Sequence, residues 1–205
     1  MHERQVPGGG GGPAKTAARD QVLAARRAIS IEELGRASQA ITAHLLADGS
    51  VRRAATVAAY VSVGREPGTT LMLDALREVG KRVILPVVLP DLDLDWAAYE
   101  GAGSLVRAGR GLLEPAGPRL GVDAVATADV VLVPGLAVSS AGERLGRGGG
   151  CYDRALARVP VGTFTCVLLH DGEVGRDVPV EPHDRPVTHA VTPSGGVVEL
   201  GASSR

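Results

Sequence analysis

Apolar positions recur at helical spacing in the first quarter of the chain and gather into short continuous runs after it. From Ala14 onward, Val22, Leu23 and neighbouring alanines share one face while Lys15, Arg19, Arg26 and Arg27 share another, which predicts an amphipathic helix. Ser30 followed three residues later by Glu33 reads as a capping box opening a second helix. That helix carries Leu34, Ala37, Ile41 and Leu45 on one side and stops near Gly49. Two helices are therefore expected before any strand.

The pattern then alternates between buried runs and helical stretches. Thr56–Val63, Arg82–Val88, Leu92–Tyr99, Asp129–Val133, Phe164–Leu169 and Ala190–Thr192 read as strands, several of them apolar throughout. Thr69–Val79 and the segment from Cys151 to about Arg158 have helical character, and Gly80 ends the first of these. Strands alternating with helices predict an α/β fold, one three-layer αβα domain on a mixed or mainly parallel sheet. The compact unit is expected over residues 14–198. Met1–Pro13, with its glycine run, is expected to be a flexible tail, and residues 199–205 a short C-terminal one.

Composition narrows the function classes. A chain of 205 residues can bury roughly 70% of its unfolded surface without a disulfide or metal staple. Lys plus Arg is 22 against 23 for Asp plus Glu, so a general nucleic-acid or anionic-membrane surface is not expected. Aromatic residues are 2% of the chain, too few for a stacking platform on single strands. Two cysteines, Cys151 and Cys166, form neither a disulfide framework nor a closed metal site. The opening residues lack an apolar signal core, and the expected location is cytoplasmic. Trp96 is expected in the core. His183 and His189 lack the ligand count of a zinc site.

Candidate chemistry concentrates in Val133–Arg154, where an apolar strand leads through Pro134-Gly135 to a loop with Arg144, Arg147 and Gly148–Gly150, then to a helix. Glycines let backbone N–H groups approach a ligand, and two arginines supply fork-shaped donors suited to phosphate. Asp153 falls in the first helical turn, where a carboxylate is favoured and could face a metal. The segment is neither a Walker A loop nor a dinucleotide fingerprint. On these residues alone an anion site and a tight glycine turn with solvated arginines both remain open.

The run R-L-G-R-G-G-G-C-Y-D, Arg144 to Asp153, resembles the signature of the 5-formyltetrahydrofolate cyclo-ligase family, and further markers follow in order. These are Lys15 with Arg19, Tyr60-Val61-Ser62 through Glu66 and Thr69, Leu85-Pro86, Glu114-Pro115, Val133-Pro134-Gly135 and His183-Asp184. Cys151 stands where the family usually has the first of two tyrosines, Val138-Ser139 where it has Phe-Asp, and Arg65 beside the glutamate where it often has Asp. The resemblance implies a fold like that of sugar-phosphate isomerases and CoA transferases. It also implies ATP-dependent closure of 5-formyltetrahydrofolate to 5,10-methenyltetrahydrofolate through a phosphorylated formyl group, with magnesium as cofactor.

Site roles follow from the same resemblance. Lys15, Arg19, Arg144, Leu145, Gly146, Arg147, Gly148, Gly149, Gly150, Cys151 and Tyr152 would bind ATP, with Arg144 and Arg147 as the catalytic cations. Val61, Glu66 and Tyr152 would contact the folate, while Asp153 and Asp184 would hold magnesium. The partners implied are the two small substrates, with no nucleic acid or membrane and a monomer or weak homodimer. A non-catalytic folate or nucleotide sensor, or a sugar-phosphate isomerase, are the competing readings.

Overall fold

The computed structural model describes residues 12–201; the expected tail is outside the described residues for Met1–Gly11. The helices are α1 (Pro13–Arg27), α2 (Ile31–Ala47), α3 (Gly49–Arg53), α4 (Thr70–Glu78) and α5 (Cys151–Leu156). The strands are β1 (Thr56–Ala58), β2 (Arg82–Val88), β3 (Leu94–Ala98), β4 (Leu105–Arg107), β5 (Leu113–Pro115), β6 (Val130–Pro134), β7 (Ala137–Val138), β8 (Arg144–Leu145), β9 (Phe164–Leu168), β10 (His189–Thr192) and β11 (Gly196–Glu199). Seven strands form the central sheet in the order β11-β10-β9-β6-β1-β2-β3. The inner five run parallel, and β3 and β11 close the two edges antiparallel.

The continuous apolar runs have a simple cause: successive residues feed two different cores. Val57, Val83, Leu85, Val130, Leu132, Cys166 and Leu168 pack with Ile41, Leu45, Met72 and Leu76 of α2 and α4. The intervening Ala58, Ile84, Val131, Val133, Val167 and Ala190 pack with Ala155 and Leu156 of α5, Val125 and Trp96 on the other face. Both faces of the parallel strands are thus covered, giving the expected three layers. Trp96 lies in the core, as expected. The helix α1 packs Ala18, Val22 and Leu23 against Leu136, Ala137, Leu145 and Val178, at the carboxyl ends of the strands.

Local rules account for several boundaries. The capping box at Ser30 and Glu33 makes both of its bonds. Pro13 occupies the first turn of α1, where its missing N–H costs nothing, so the helix begins one residue before the expected boundary. Among the described residues three helices, not two, precede the first strand, because Asp48 caps a further short turn with bonds to the Ser50 and Val51 N–H groups.

The strand expected over Thr56–Val63 stops at Ala58. Beyond it, side chains take over the backbone bonds: the Ser62 N–H donates to the Thr69 hydroxyl and the Val63 N–H to Glu66. The expected helix at Cys151 ends at Leu156. Residues 199–201, expected in the C-terminal tail, are tied down, with Glu199 in β11 and the Leu200 and Gly201 N–H groups bonded to Thr188 and Ser140 carbonyls; residues 202–205 lie outside the described residues.

The chain proceeds from β1 outward through β2 to β3, then returns to β6 and proceeds the other way. The topological switch point therefore falls between β1 and β6, where open α/β sheets form crevices at the carboxyl ends of their strands.

Candidate active site

A cleft of about 860 Å³ opens at this switch point. Its walls include Tyr60, Val61 and Glu66 from the exit of β1, Pro134 and Gly135 from the exit of β6, and the loop from Arg144 to Asp153. Lys15 and Arg19 enter from α1, Asp184 from a loop before β10, and Leu112, Leu113 and Glu114 from the β4–β5 hairpin. Every residue given a site role in the sequence lines this one cleft, although they come from four separate stretches of chain.

Within the cleft Lys15, Arg19, Arg144 and Arg147 each face a carboxylate or a carbonyl. Lys15 Nζ lies 2.6 Å from Asp184 Oδ2 and 2.9 Å from Glu181 Oε2, and Lys15 is buried to 5% exposure. The spacing on α1 would equally suit a solvated face; burial decides otherwise. Desolvation disfavours the Lys15 charge, but its bonds to Asp184 and Glu181 outweigh that and raise its pKa. The same contacts hold Asp184 below the usual carboxylate range against the opposing effect of its own desolvation. Lys15 foremost, with the Gly12 N–H, lowers Glu181 as well.

Arg144 is 7% exposed and lies across the floor. Its Nη2 donates to Asp153 Oδ1 at 3.2 Å, its Nη1 to the Pro134 carbonyl at 3.2 Å, and its guanidinium carbon sits 5.9 Å from the centre of the Tyr152 ring. Asp153 also accepts the Arg185 N–H. Arg147 Nε reaches Glu66 Oε1 at 2.9 Å, while Arg19 Nε donates to the Gly146 carbonyl. The loop needs its glycines: Gly148 and Gly150 hold φ of 98° and 66°, and Gly150 is the left-handed cap of α5. A Cβ on Gly148 would lie 3.2 Å from the Arg19 guanidinium carbon.

Tyr152 packs against both sheet-face cores and meets Tyr60 edge-on, ring centres 6.5 Å apart. Cys151 is half-buried and lines the cleft. It opens α5 at the loop rather than in the helix interior. Of the two histidines considered, His189 stacks on Phe164 in the sheet, whereas His183 lines the cleft beside Glu181 and Asp184.

A divalent cation of the magnesium type takes oxygen donors and keeps several waters. Asp153 and Asp184 supply carboxylates to the same cleft, and Glu181, His183 and Asp184 each offer an atom within 4.8 Å of the others. The donor chemistry fits, although Lys15 and Arg144 neutralise these carboxylates here.

Glu181 and Arg26 carried no role in the sequence reading. Glu181 lies three residues before Asp184, and only the fold reveals that both turn to Lys15. Arg26 lies on the helix face read as polar, yet it is buried and bidentate to Glu173. It also donates to the Gly135 carbonyl at the cleft's rear wall. Nothing in residue spacing distinguishes it from the exposed Arg27.

Residues 12–193 match the family model described as the 5-formyltetrahydrofolate cyclo-ligase family. A Mycolicibacterium smegmatis protein named 5-formyltetrahydrofolate cyclo-ligase is 46% identical over 150 residues, 71% of this chain and 77% of that one. An Escherichia coli protein of the same name is 33% identical over 177 residues, 82% of this chain and 94% of its own length. The solved 5,10-methenyltetrahydrofolate synthetase of Aquifex aeolicus superposes with a TM-score of 0.79 at 28% identity, covering 93% of this chain and 94% of that one.

Proposed function

This chain belongs to the 5-formyltetrahydrofolate cyclo-ligase family, and on that premise we propose how its cleft carries out the reaction. The protein is an enzyme of the ligase class that closes 5-formyltetrahydrofolate to 5,10-methenyltetrahydrofolate. The relatives do not favour the sensor or isomerase readings. The observation carrying the residue assignment is the convergence of three cation–carboxylate pairs in one cleft: Lys15 with Asp184, Arg144 with Asp153, and Arg147 with Glu66.

ATP serves as co-substrate, and its γ-phosphoryl passes to the formyl oxygen. That turns an unreactive amide oxygen into a leaving group and makes the formyl carbon electrophilic. The anilino nitrogen of the same folate attacks that carbon and releases its proton to solvent, the five-membered ring closes, and the oxygen departs with inorganic phosphate. Positioning and charge neutralisation supply the catalysis, so no protein nucleophile is required.

Lys15, Arg19, Arg144 and Arg147 hold the triphosphate together with the N–H groups of Gly148–Gly150. Leu145, Gly146, Cys151 and Tyr152 form the adjoining wall. Arg144 and Arg147 are the cations that stabilise charge on the transferring group. Asp153 and Asp184 would hold magnesium, which when bound would neutralise phosphate charge. With ATP bound, Lys15 and Arg144 would turn from carboxylate to phosphate, leaving Asp184 and Asp153 as the carboxylates that would hold the ion. Val61, Glu66 and Tyr152 contact the folate. The catalytic unit is the compact body from Pro13 to Gly201, and the location is cytoplasmic. Among the described residues no helix is long and apolar enough to cross a membrane.

The test is spectroscopic. Protein mixed with ATP, magnesium and 5-formyltetrahydrofolate is expected to generate the near-ultraviolet band of the methenyl product. Omitting ATP, or chelating magnesium, is expected to abolish it. Folded protein that binds both substrates without producing the band would overturn the proposal.

A further inference from the structure

We propose that Tyr60 is a substrate-binding residue whose hydroxyl donates a hydrogen bond to a carbonyl oxygen of the bound folate. The assignment rests on reading the cleft as the folate site. Tyr60 lies two residues past the end of β1, at the switch point, and forms part of the cleft wall. Its side chain is 3% exposed, and its Oη is buried without a hydrogen-bond partner. A buried hydroxyl left unpaired costs free energy in the empty protein, and phenylalanine would fill the same wall without that cost.

Trp96 Nε1, Arg26 Nη1 and Arg144 Nε are also buried without partners; the first two residues lie outside the cleft lining, and Arg144, which lines it, is already held through both Nη atoms. What distinguishes Tyr60 is its surroundings. Tyr152 stands edge-on to it, and Glu66 is close enough to act on it electrostatically. Glu66 is already engaged at both oxygens, one by the Val63 N–H and one by Arg147. Desolvation first, then the nearby Glu66 charge, push the Tyr60 phenol well above its ordinary pKa, so it remains a protonated donor. A neutral donor beside a carboxylate selects an uncharged acceptor such as a carbonyl over another anion. The cationic residues proposed to hold triphosphate are Lys15, Arg19, Arg144 and Arg147, which leaves the folate as the source of that carbonyl.

The experiment is Tyr60→Phe, which keeps the ring and removes only the unpaired hydroxyl. Its melting temperature is expected to equal or exceed that of the parent. Its KM and Kd for 5-formyltetrahydrofolate are expected to rise about tenfold, with the Kd of a non-hydrolysable ATP analogue unchanged. Calorimetry with 5-methyltetrahydrofolate, which lacks the formyl oxygen, separates two sources. An equal loss for both folates assigns a carbonyl that the two share; a loss for the formyl compound alone assigns the formyl oxygen. Unchanged folate affinity in an active Tyr60→Phe overturns the assignment by itself. So does a fall in melting temperature with equal weakening of folate and nucleotide, the mark of a packing role. A parent that neither binds 5-formyltetrahydrofolate nor forms the methenyl product removes the reading of the cleft and this assignment together.

Discussion

Arg147 Nε lies 2.9 Å from Glu66 Oε1, joining the glycine-rich loop to the exit of β1 across 81 residues of chain. The pair is unequal: the Arg147 side chain is 51% exposed and that of Glu66 is 5%. Removing the arginine therefore strands a carboxylate that water scarcely reaches. Arg147→Ala is expected to destabilise the protein by about 1–3 kcal/mol. Adding Glu66→Gln is expected to recover part of that loss. A double-mutant cycle by urea unfolding measures it, and simple additivity would show the two groups to be uncoupled.

Arg144→Ala is expected to be the more damaging change to catalysis. Arg144 is nearly buried and engages Asp153 and the Pro134 carbonyl, whereas Arg147 has one partner and much solvent. Loss of charge-assisted bonds predicts a decrease of about one to two decades in kcat/KM for ATP. Arg144→Lys should not restore activity, because an ammonium cannot span both acceptors as the planar fork does. Steady-state kinetics with each substrate varied in turn provide the check; parental kinetics in the lysine variant would contradict the geometry.

The contact between Lys15 and Asp184 predicts a defined pH window. Asp184 titrates below its ordinary value of 3.8 and Lys15 above its ordinary 10.5. Stability from the depressed aspartate is present above pH 3.8 and is lost as pH falls through its lower folded value. Stability from the raised lysine is present below pH 10.5 and is lost as pH rises through its higher folded value. Asp184→Asn is thus expected to cost about 1–3 kcal/mol at neutral pH, with the deficit shrinking at both extremes. Urea unfolding of parent and variant across pH reads this directly. The variant is also expected to respond more weakly to magnesium, so its activity loss must be separated from its stability loss.

Arg26 and Glu173 form a buried bidentate pair behind the Gly135 turn. Arg26→Met alone leaves a buried carboxylate without its cation and is expected to cost about 3–5 kcal/mol. Arg26→Met with Glu173→Leu is expected to regain much of that stability without regaining full activity, because the Gly135 carbonyl still loses its donor. Thermal unfolding and turnover measured together test both halves of the statement.

Much of the architecture was legible in the chain. Continuous apolar strands between amphipathic helices imply a sheet covered on both faces, and the paired cores show why: odd and even residues of each strand are both buried. Less legible were the ends of elements. Nothing in Thr56–Val63 signals that β1 stops at Ala58, because hydroxyls of Ser62 and Thr69 and the Glu66 carboxylate take over backbone bonds from seven or fewer residues away. The antiparallel strand β11 was missed for a related reason: Gly196–Glu199 carries little apolar signal, and it is stabilised by its pairing with β10.

By itself, then, the sequence determined the fold class, the family signature and the residue types that would gather in the cleft. It did so because hydrophobic period and loop chemistry are local properties that survive in one dimension. Tertiary structure alone decided which charges face one another. Lys15 meets Asp184 across 169 residues, Arg26 meets Glu173 across 147, and Arg147 meets Glu66 across 81. Burial, partner and pKa direction arise from those approaches and from the water they exclude. Two arginines adjacent in sequence, Arg26 and Arg27, can therefore end in opposite environments, one fixed in the interior and one in solvent.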